Sequence, residues 1–368
     1  MEALYTINQK ELKDNLQKME NASDVKSVLF LMTNDNTFPV EFLNPLLKSL
    51  KKPVIGGVFY ELIYKSQLKK SGILLIPLSF EIKTEIFDYS NTDKSIFETL
   101  EDTYSNNLSE KGSVFIFTDA FTTAKSLFIE DLFNFFGFKF SFIGAGCGSD
   151  SYESFPCIIH NSGIHSNAGV IGYSTESVAF GVAHGWKSIS QPLKVSESDL
   201  NVVKTINWEP AFEIYKNIVE NHSGLKFKDD NFLDIAKSYP IGLNKIDNEM
   251  VIRDPFMTKD GALYCLDNID KGQYISIMNG DANSLIQGAA IASNVCNASS
   301  DKKGITTRSF FCIDCISRVK FLSDDYSKEL QAIGGNELVN GVVSFGEIAN
   351  VGDSFLEIYN KTVIVAKW

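Results

Sequence analysis

Histidine is scarce: 368 residues contain four, at positions 160, 165, 184 and 222. A multi-histidine metal centre has little to build on. Cysteine is sparse too, at Cys147, Cys157, Cys265, Cys296, Cys312 and Cys315. Six thiols scattered over this length do not make a disulfide framework and read as free, buried groups. Basic runs are short (Lys51-Lys52, Lys69-Lys70, Lys302-Lys303) against a net charge of −12. That balance disfavours nucleic acid and anionic membrane surfaces as partners. No apolar run is long enough to span a bilayer. The start, "MEALYTINQKELKDNLQKMENAS", lacks the basic and apolar regions of a secretory signal. The expectation is a cytoplasmic protein without membrane insertion. Gly-x-Ser-x-Gly, His-Glu-x-x-His and Walker patterns are absent as well, and no nucleophile–base pair is legible.

What is present suits an ordinary globular chain, 44% apolar and 22% charged. The length favours two domains. Helical periodicity is read over 8–20, 38–50, 95–108, 125–137, 211–224 and 326–333. Strands are read at 25–33, 53–63, 72–82, 113–120 and from 138, then as short alternating runs from 156 to 186. Four more are read at 272–279, 307–319, 338–348 and 355–367. No internal repeat shows in the identities. The expected class is α+β: two mixed, largely antiparallel sheet-and-helix domains packed together, at 25–207 and 208–368.

Five stretches carry chemistry. "GAGCGSD" (144–150) follows a strand but matches neither a dinucleotide fingerprint nor a P-loop, and reads as a close-approach turn. In "CIDC" (312–315) alternation sends the two thiols to opposite faces, against chelation, and sets Asp314 and Arg318 on the face of Cys312. "FGVAHGW" (180–186) puts His184 on one strand face with Phe180, Val182 and Trp186; a hydrogen-bonded structural role is favoured over ligation. "VIRDPF" (251–256) offers Arg253 and Asp254 either as a local turn or as a fork for a carboxylate ligand. In "SFGEIANVGD" (344–353) Glu347 shares a strand face with Val343 and Phe345. A carboxylate there needs a donor partner, from Arg253, Arg318 or a ligand.

The order of "AFEIYKNIV" (211–219), "VIRDP" (251–255), "CISR" (315–318) and "GVVSFGEIANVGDSFLEIYNKTVIVA" (341–366) resembles the FIST family. "VIGGVFYE", "FIGAGCGSDS" and "AHGW" extend the resemblance to residue 25 or so. It departs where the family's "GGxAGD" loop becomes "GAGCGSD", and where "GVFYE" replaces small polar residues. The resemblance implies paired FIST N and FIST C units acting in signal transduction. It implies a small ligand such as an amino acid and output through a separate signalling protein. The ligand contacts it nominates are Arg253, Asp254, Cys315, Arg318, Glu347, Asn360, Asp150 and His184. No cofactor or catalysis is expected. Two alternatives stand: a haem-based nitric oxide sensor using His184, and a hydrolase-like enzyme using Cys315, Asp314 and Glu347.

Overall fold

Several apolar runs become strands that are buried along their whole length, as in Ser27–Thr33 and Gly112–Asp119. Such strands belong in the middle of covered sheets. The computed structural model describes residues 1–368 apart from 91–92, 106–107, 246–249, 308 and 351–353. The described residues form three six-stranded sheets and one nine-stranded sheet.

The three six-stranded sheets share one design. The first runs Leu4–Thr6, Ile73–Leu78, Ser27–Thr33, Val54–Phe59, Ile158–His160, Gly163–His165. The second runs Lys83–Asp88, Ala168–Ser174, Gly112–Asp119, Phe140–Cys147, Glu347–Asn350, Leu356–Tyr359. The third runs Ala179–Ala183, Val363–Lys367, Ser309–Cys315, Leu338–Ser344, Glu61–Tyr64, Gln67–Lys69. In each, the central pair is parallel and the other pairings are antiparallel. Helices span the parallel crossovers: Val40–Ser49, Lys125–Phe136, and Ile316–Leu322 with Tyr326–Gly334. One glycine recurs at the same register. Gly56 faces Phe30, Gly144 faces Ile116 and Gly341 faces Cys312. A Cβ there would fall 1.8, 2.2 and 1.9 Å from the neighbouring carbonyl oxygen, so the close strand approach admits only glycine.

The last two strands of every sheet come from another repeat. After its central pair the first repeat sends a hairpin (Glu61–Tyr64, Gln67–Lys69) to the third sheet. The third sends Glu347–Asn350 and Leu356–Tyr359 to the second. The second sends Ile158–His160 and Gly163–His165 to the first. Three equivalent backbone hydrogen bonds close the cycle. Tyr60 N–H donates to Val343 O (3.2 Å), Phe345 N–H to Gly146 O (3.1 Å) and Gly148 N–H to Val58 O (2.9 Å). The nine-stranded sheet, with helices Ala211–Ser223 and Phe232–Ala236, is an insertion in the third repeat. It lies between the edge strand Ala179–Ala183 and the helix Ala282–Lys303.

The α+β class holds, with mixed sheets as expected. Several element readings change. The strand expected at 53–63 breaks at Tyr60, and that at 338–348 breaks at Phe345–Gly346, where Gly346 has φ +132°. These are equivalent points, where the chain leaves one sheet for another. The strand expected at 307–319 stops at Cys315, and Ile316–Leu322 is helical, so Arg318 sits on a helix. The strand expected at 355–367 divides around Asn360–Thr362. The helix expected at 95–108 is Ile96–Tyr104, closed at its start by a Ser95–Glu98 capping box. Its expected residues 106–107, and 351–353 of the Glu347 stretch, lie outside the described residues. The helix Ala282–Lys303 went unread because its buried face is small: Gly288, Ala289, Ala292, Ser293 and Cys296 pack where large apolar residues normally mark a helix. The boundary expected at 207/208 falls between Val202–Ile206 and Glu209–Pro210, two strands that pair. Six further pairings among the described residues also cross it.

Residues 1–207 expressed alone lose the partners of Glu61–Tyr64, Phe140–Cys147 and Ala179–Ala183. The fragment is expected to be aggregated or molten by size exclusion and circular dichroism, and to recover cooperative melting when co-expressed with residues 208–368. A monomeric fragment that melts cooperatively by itself would show that the exchanged strands are dispensable.

Candidate functional site

The third repeat buries an unusual amount of charge. Arg318, Asp314, Glu329 and Glu347 are all 0% exposed. Arg318 is carried inward by the helix that starts right after the strand Ser309–Cys315. Its Nε donates to Glu329 Oε1 (3.0 Å) and lies 3.2 Å from Asp314 Oδ1. Its Nη1 donates to the carbonyl of His184 (2.6 Å) and, at 3.4 Å, of Lys361; its Nη2 donates to Leu285 O (3.0 Å) and to Glu329. Every arm of the guanidinium is thus spent inside the chain. Glu347 accepts from the Ser344 hydroxyl (2.7 Å) and from Thr362 N–H (3.3 Å). No hydrogen bond or ion pair among the described residues joins it to Arg253 or Arg318.

One guanidinium cannot balance three buried acids. Burial pushes Asp314 and Glu329 above the ordinary carboxylate range, against the pull of Arg318. Burial also pushes Glu347 well up, with the Ser344 bond opposing and Asp314 reinforcing. Cys315 is raised by burial first and then by Glu347. A thiol held protonated is a poor nucleophile, so this constellation does not resemble an activated catalytic cysteine. His184 is lowered to about 4 by burial and by Arg318. Its Nδ1 accepts from Trp186 N–H at 2.9 Å.

Arg253, Asp254 and Asn360 lie together where the inserted sheet meets the third repeat. Arg253 donates to the carbonyls of Asn268 (3.1 Å), Ile252 (3.2 Å) and Ile358 (2.7 Å). Asp254 accepts from Ser317 (3.0 Å) and pairs with the buried Lys361 ammonium (3.1 Å). Asn360 donates to Asp267 (2.7 Å), which also pairs with Lys125 (2.6 Å). Lys361 lies 5.4 Å from the Trp186 ring centroid, and Trp186 Nε1–H donates to its carbonyl (3.0 Å). Seven of the eight nominated residues therefore belong to a buried polar seam whose charges face one another.

The eighth, Asp150, is elsewhere. It lines a cleft of about 200 Å³ with Asn34, Asp35, Tyr60, Glu61, Lys70 and Ser149. Asn34 and Asp35 follow the first central strand, and Ser149 and Asp150 follow Phe140–Cys147 of the second sheet. The cleft thus opens at the carboxyl ends of parallel strands and beside the crossover at Tyr60, where such folds place ligands. Glu61 is its distinctive group: only 7% exposed, and without a hydrogen bond or ion pair among the described residues. Burial raises its pKa, and the field of Lys70 opposes the rise. Phe345 meets Tyr60 (6.5 Å), Phe121 (5.2 Å) and Tyr152 (5.9 Å) edge-on, giving the crossover an aromatic support. Glu61 was missed in the sequence although it follows an apolar strand just as Glu347 does.

A family model for the FIST N domain matches residues 27–209, and one for the FIST C domain matches residues 211–350. The chain belongs to the FIST family. FIST domains are associated with sensing in signal transduction. No curated protein matches the chain. Among the described residues no helix is long and apolar enough to cross a membrane, and no group of three His, Cys, Asp or Glu is placed to hold a metal ion.

Removing Arg318 strands its buried acids. Arg318→Met is expected to cost ~3–5 kcal/mol in urea unfolding at pH 7. The cost should shrink at pH 5, below the value of about 6 to which burial raises Asp314. Glu347 has a raised folded pKa, so the stability it contributes is fully present below its unfolded value of 4.5 and is lost as pH rises. Glu347→Gln removes that loss. Melting temperatures taken from pH 5 to pH 8 should show the variant gaining on the wild type as pH rises; a constant offset would mean that Glu347 is ionised throughout.

Proposed function

We propose that this chain is a sensory module that binds a small zwitterion, with amino acids the leading class, in the cleft at Tyr60, Glu61 and Asp150. The observation that carries the reading is Glu61: a residue only 7% exposed that lines the cleft, its carboxylate without a hydrogen bond or ion pair among the described residues. A partly desolvated carboxylate without a partner gains from a compensating cation. A ligand ammonium at Glu61, flanked by Asp150 and Asp35, does so. Lys70 and the Asn34 amide stand in the same cleft to meet a ligand carboxylate. The volume is below the roughly 300–1,000 Å³ typical of sites for drug-sized molecules, which limits the ligand to a few heavy atoms. Output passes to a separate protein in the cytoplasm. The seam around Arg318 and Glu347 supports the fold, and its two arginines are already engaged within the chain.

A melting screen against the amino acids tests this. A ligand at about a hundredfold excess over its Kd should raise Tm by about 3–6 °C. Glu61→Gln should abolish that rise while leaving the unliganded Tm within a few degrees. A screen without any rise at millimolar concentration, or a rise that survives in Glu61→Gln, would refute the assignment.

A further inference from the structure

Of the three exchanged hairpins, the one from the second repeat carries a distinct cluster at its turn. The turn is tightly held. Asn161 Oδ1 accepts from Val54 N–H (2.7 Å), and its Nδ2 donates to the carbonyls of Leu50 (3.3 Å) and Lys52 (3.0 Å). Asn44 Oδ1 accepts from Ile164 N–H (2.9 Å). His165 pairs in register with Ile158, two residues before His160, so the two imidazoles share one face of the hairpin. Between them stands Ser162, with Oγ 2.7 Å from His160 Nδ1 and 2.9 Å from His165 Nε2.

The network assigns the protons. Ser162 N–H donates to His160 Nδ1 (3.2 Å), so Nδ1 is an acceptor and the ring proton is on Nε2. Nε2–H then donates to Thr84 Oγ1 (3.1 Å). The Ser162 hydroxyl gives its one proton to His160 Nδ1 and accepts from His165 Nε2–H. Thr84 thereby fixes the ring of His160 with its Nδ1 lone pair turned toward Ser162, which donates to it from both hydroxyl and backbone N–H, as an outer-shell partner does for a ligating histidine.

We propose that His160 Nδ1 and His165 Nε2 form a two-imidazole site for a divalent ion of the nickel–copper–zinc group, which takes the place of the Ser162 hydroxyl. His165 shifts its ring proton to Nδ1, the Ser162 hydroxyl rotates away, the long bond from Ser162 N–H to His160 Nδ1 is given up to water, and water completes the coordination. Metal–nitrogen bonds of about 2.0–2.1 Å are shorter than the present contacts to Oγ by less than an ångström, a change within reach of side-chain adjustment. Imidazole donors select these ions over magnesium and calcium, which favour oxygen. The site is independent of the proposed zwitterion cleft.

Calorimetric titration of the chelator-treated full chain with NiCl2 at pH 7.5 tests the site. One equivalent should bind, and MgCl2 should neither bind nor compete. All six cysteines are buried, so thiols do not add background. His160→Gln and His165→Gln should each abolish binding, whereas His222→Gln, at an exposed histidine outside the cluster, should leave it intact. Thr84→Val should weaken binding ~10-fold through the lost outer-shell bond. Ser162→Ala keeps both ligands and should still bind, which guards against a variant that simply misfolds. Equal nickel binding by His160→Gln and His165→Gln, or loss of binding in a natively melting Ser162→Ala, would overturn the assignment.

Discussion

The exchange of hairpins around a closed cycle of three sheets is the constraint on which the molecule depends. Each six-stranded sheet is complete only with two strands from another repeat. An unfilled position would leave a row of backbone donors and acceptors unpaired along a central strand, which is costly inside a protein. The bonds from Tyr60, Gly148 and Phe345 lie where the three exchanges begin. Because each repeat both gives and receives, none is finished before the others. Large sequence separations, such as Glu61 with Val343, become adjacent in register. Such contacts close late and cooperatively in folding.

That closure also explains where buried charge collects. The third repeat is interrupted by the nine-stranded insertion, and its chain meets the inserted sheet at Asn360, whose N–H donates to Ile252 O. The break at Asn360–Thr362 leaves backbone groups that a regular strand would have paired. Glu347 takes Thr362 N–H, and Trp186 and Arg318 take the Lys361 carbonyl. The charges of the seam satisfy an irregular backbone at a three-way junction. Replacing such groups by apolar ones one at a time leaves the remainder unpaired, so they stand or fall together.

Local patterns in the sequence reveal strands and helices well where apolar periodicity is strong, as in Ala211–Ser223 and Lys125–Phe136. They fail where tertiary context decides. Tyr60 continues an apolar run, and nothing local says that the chain changes sheets there. Glu347 was legible as a buried acid from alternation alone, but its partners were not, since Ser344 sits on the opposite face of a continuous strand. Only the turn at Gly346 brings the two side chains together. Arg318 was placed on the face of Cys312 by a strand that in fact becomes a helix; the residue is near Asp314 all the same, because one helical turn closes the gap that a strand face would have spanned. The threefold repetition is invisible in identities because it is carried by strand order and by one glycine per repeat, whose requirement is steric rather than chemical.

The same geometry gives the cleft a route into the rest of the molecule. Tyr60 lines it, donates its backbone N–H to Val343, and packs edge-on against Phe345. Phe345 leads through Gly346 to Glu347, whose carboxyl pKa burial raises. On the proposed reading, a ligand ammonium neutralises Glu61 at one end of this short path, and the crossover between the first and third sheets tightens around it. The path touches two of the three exchange points, at Tyr60 and Phe345. A sensor needs two arrangements that a ligand can tell apart. In a closed cycle of exchanged strands, the joints between repeats are the places where two such arrangements can differ without unpairing a sheet.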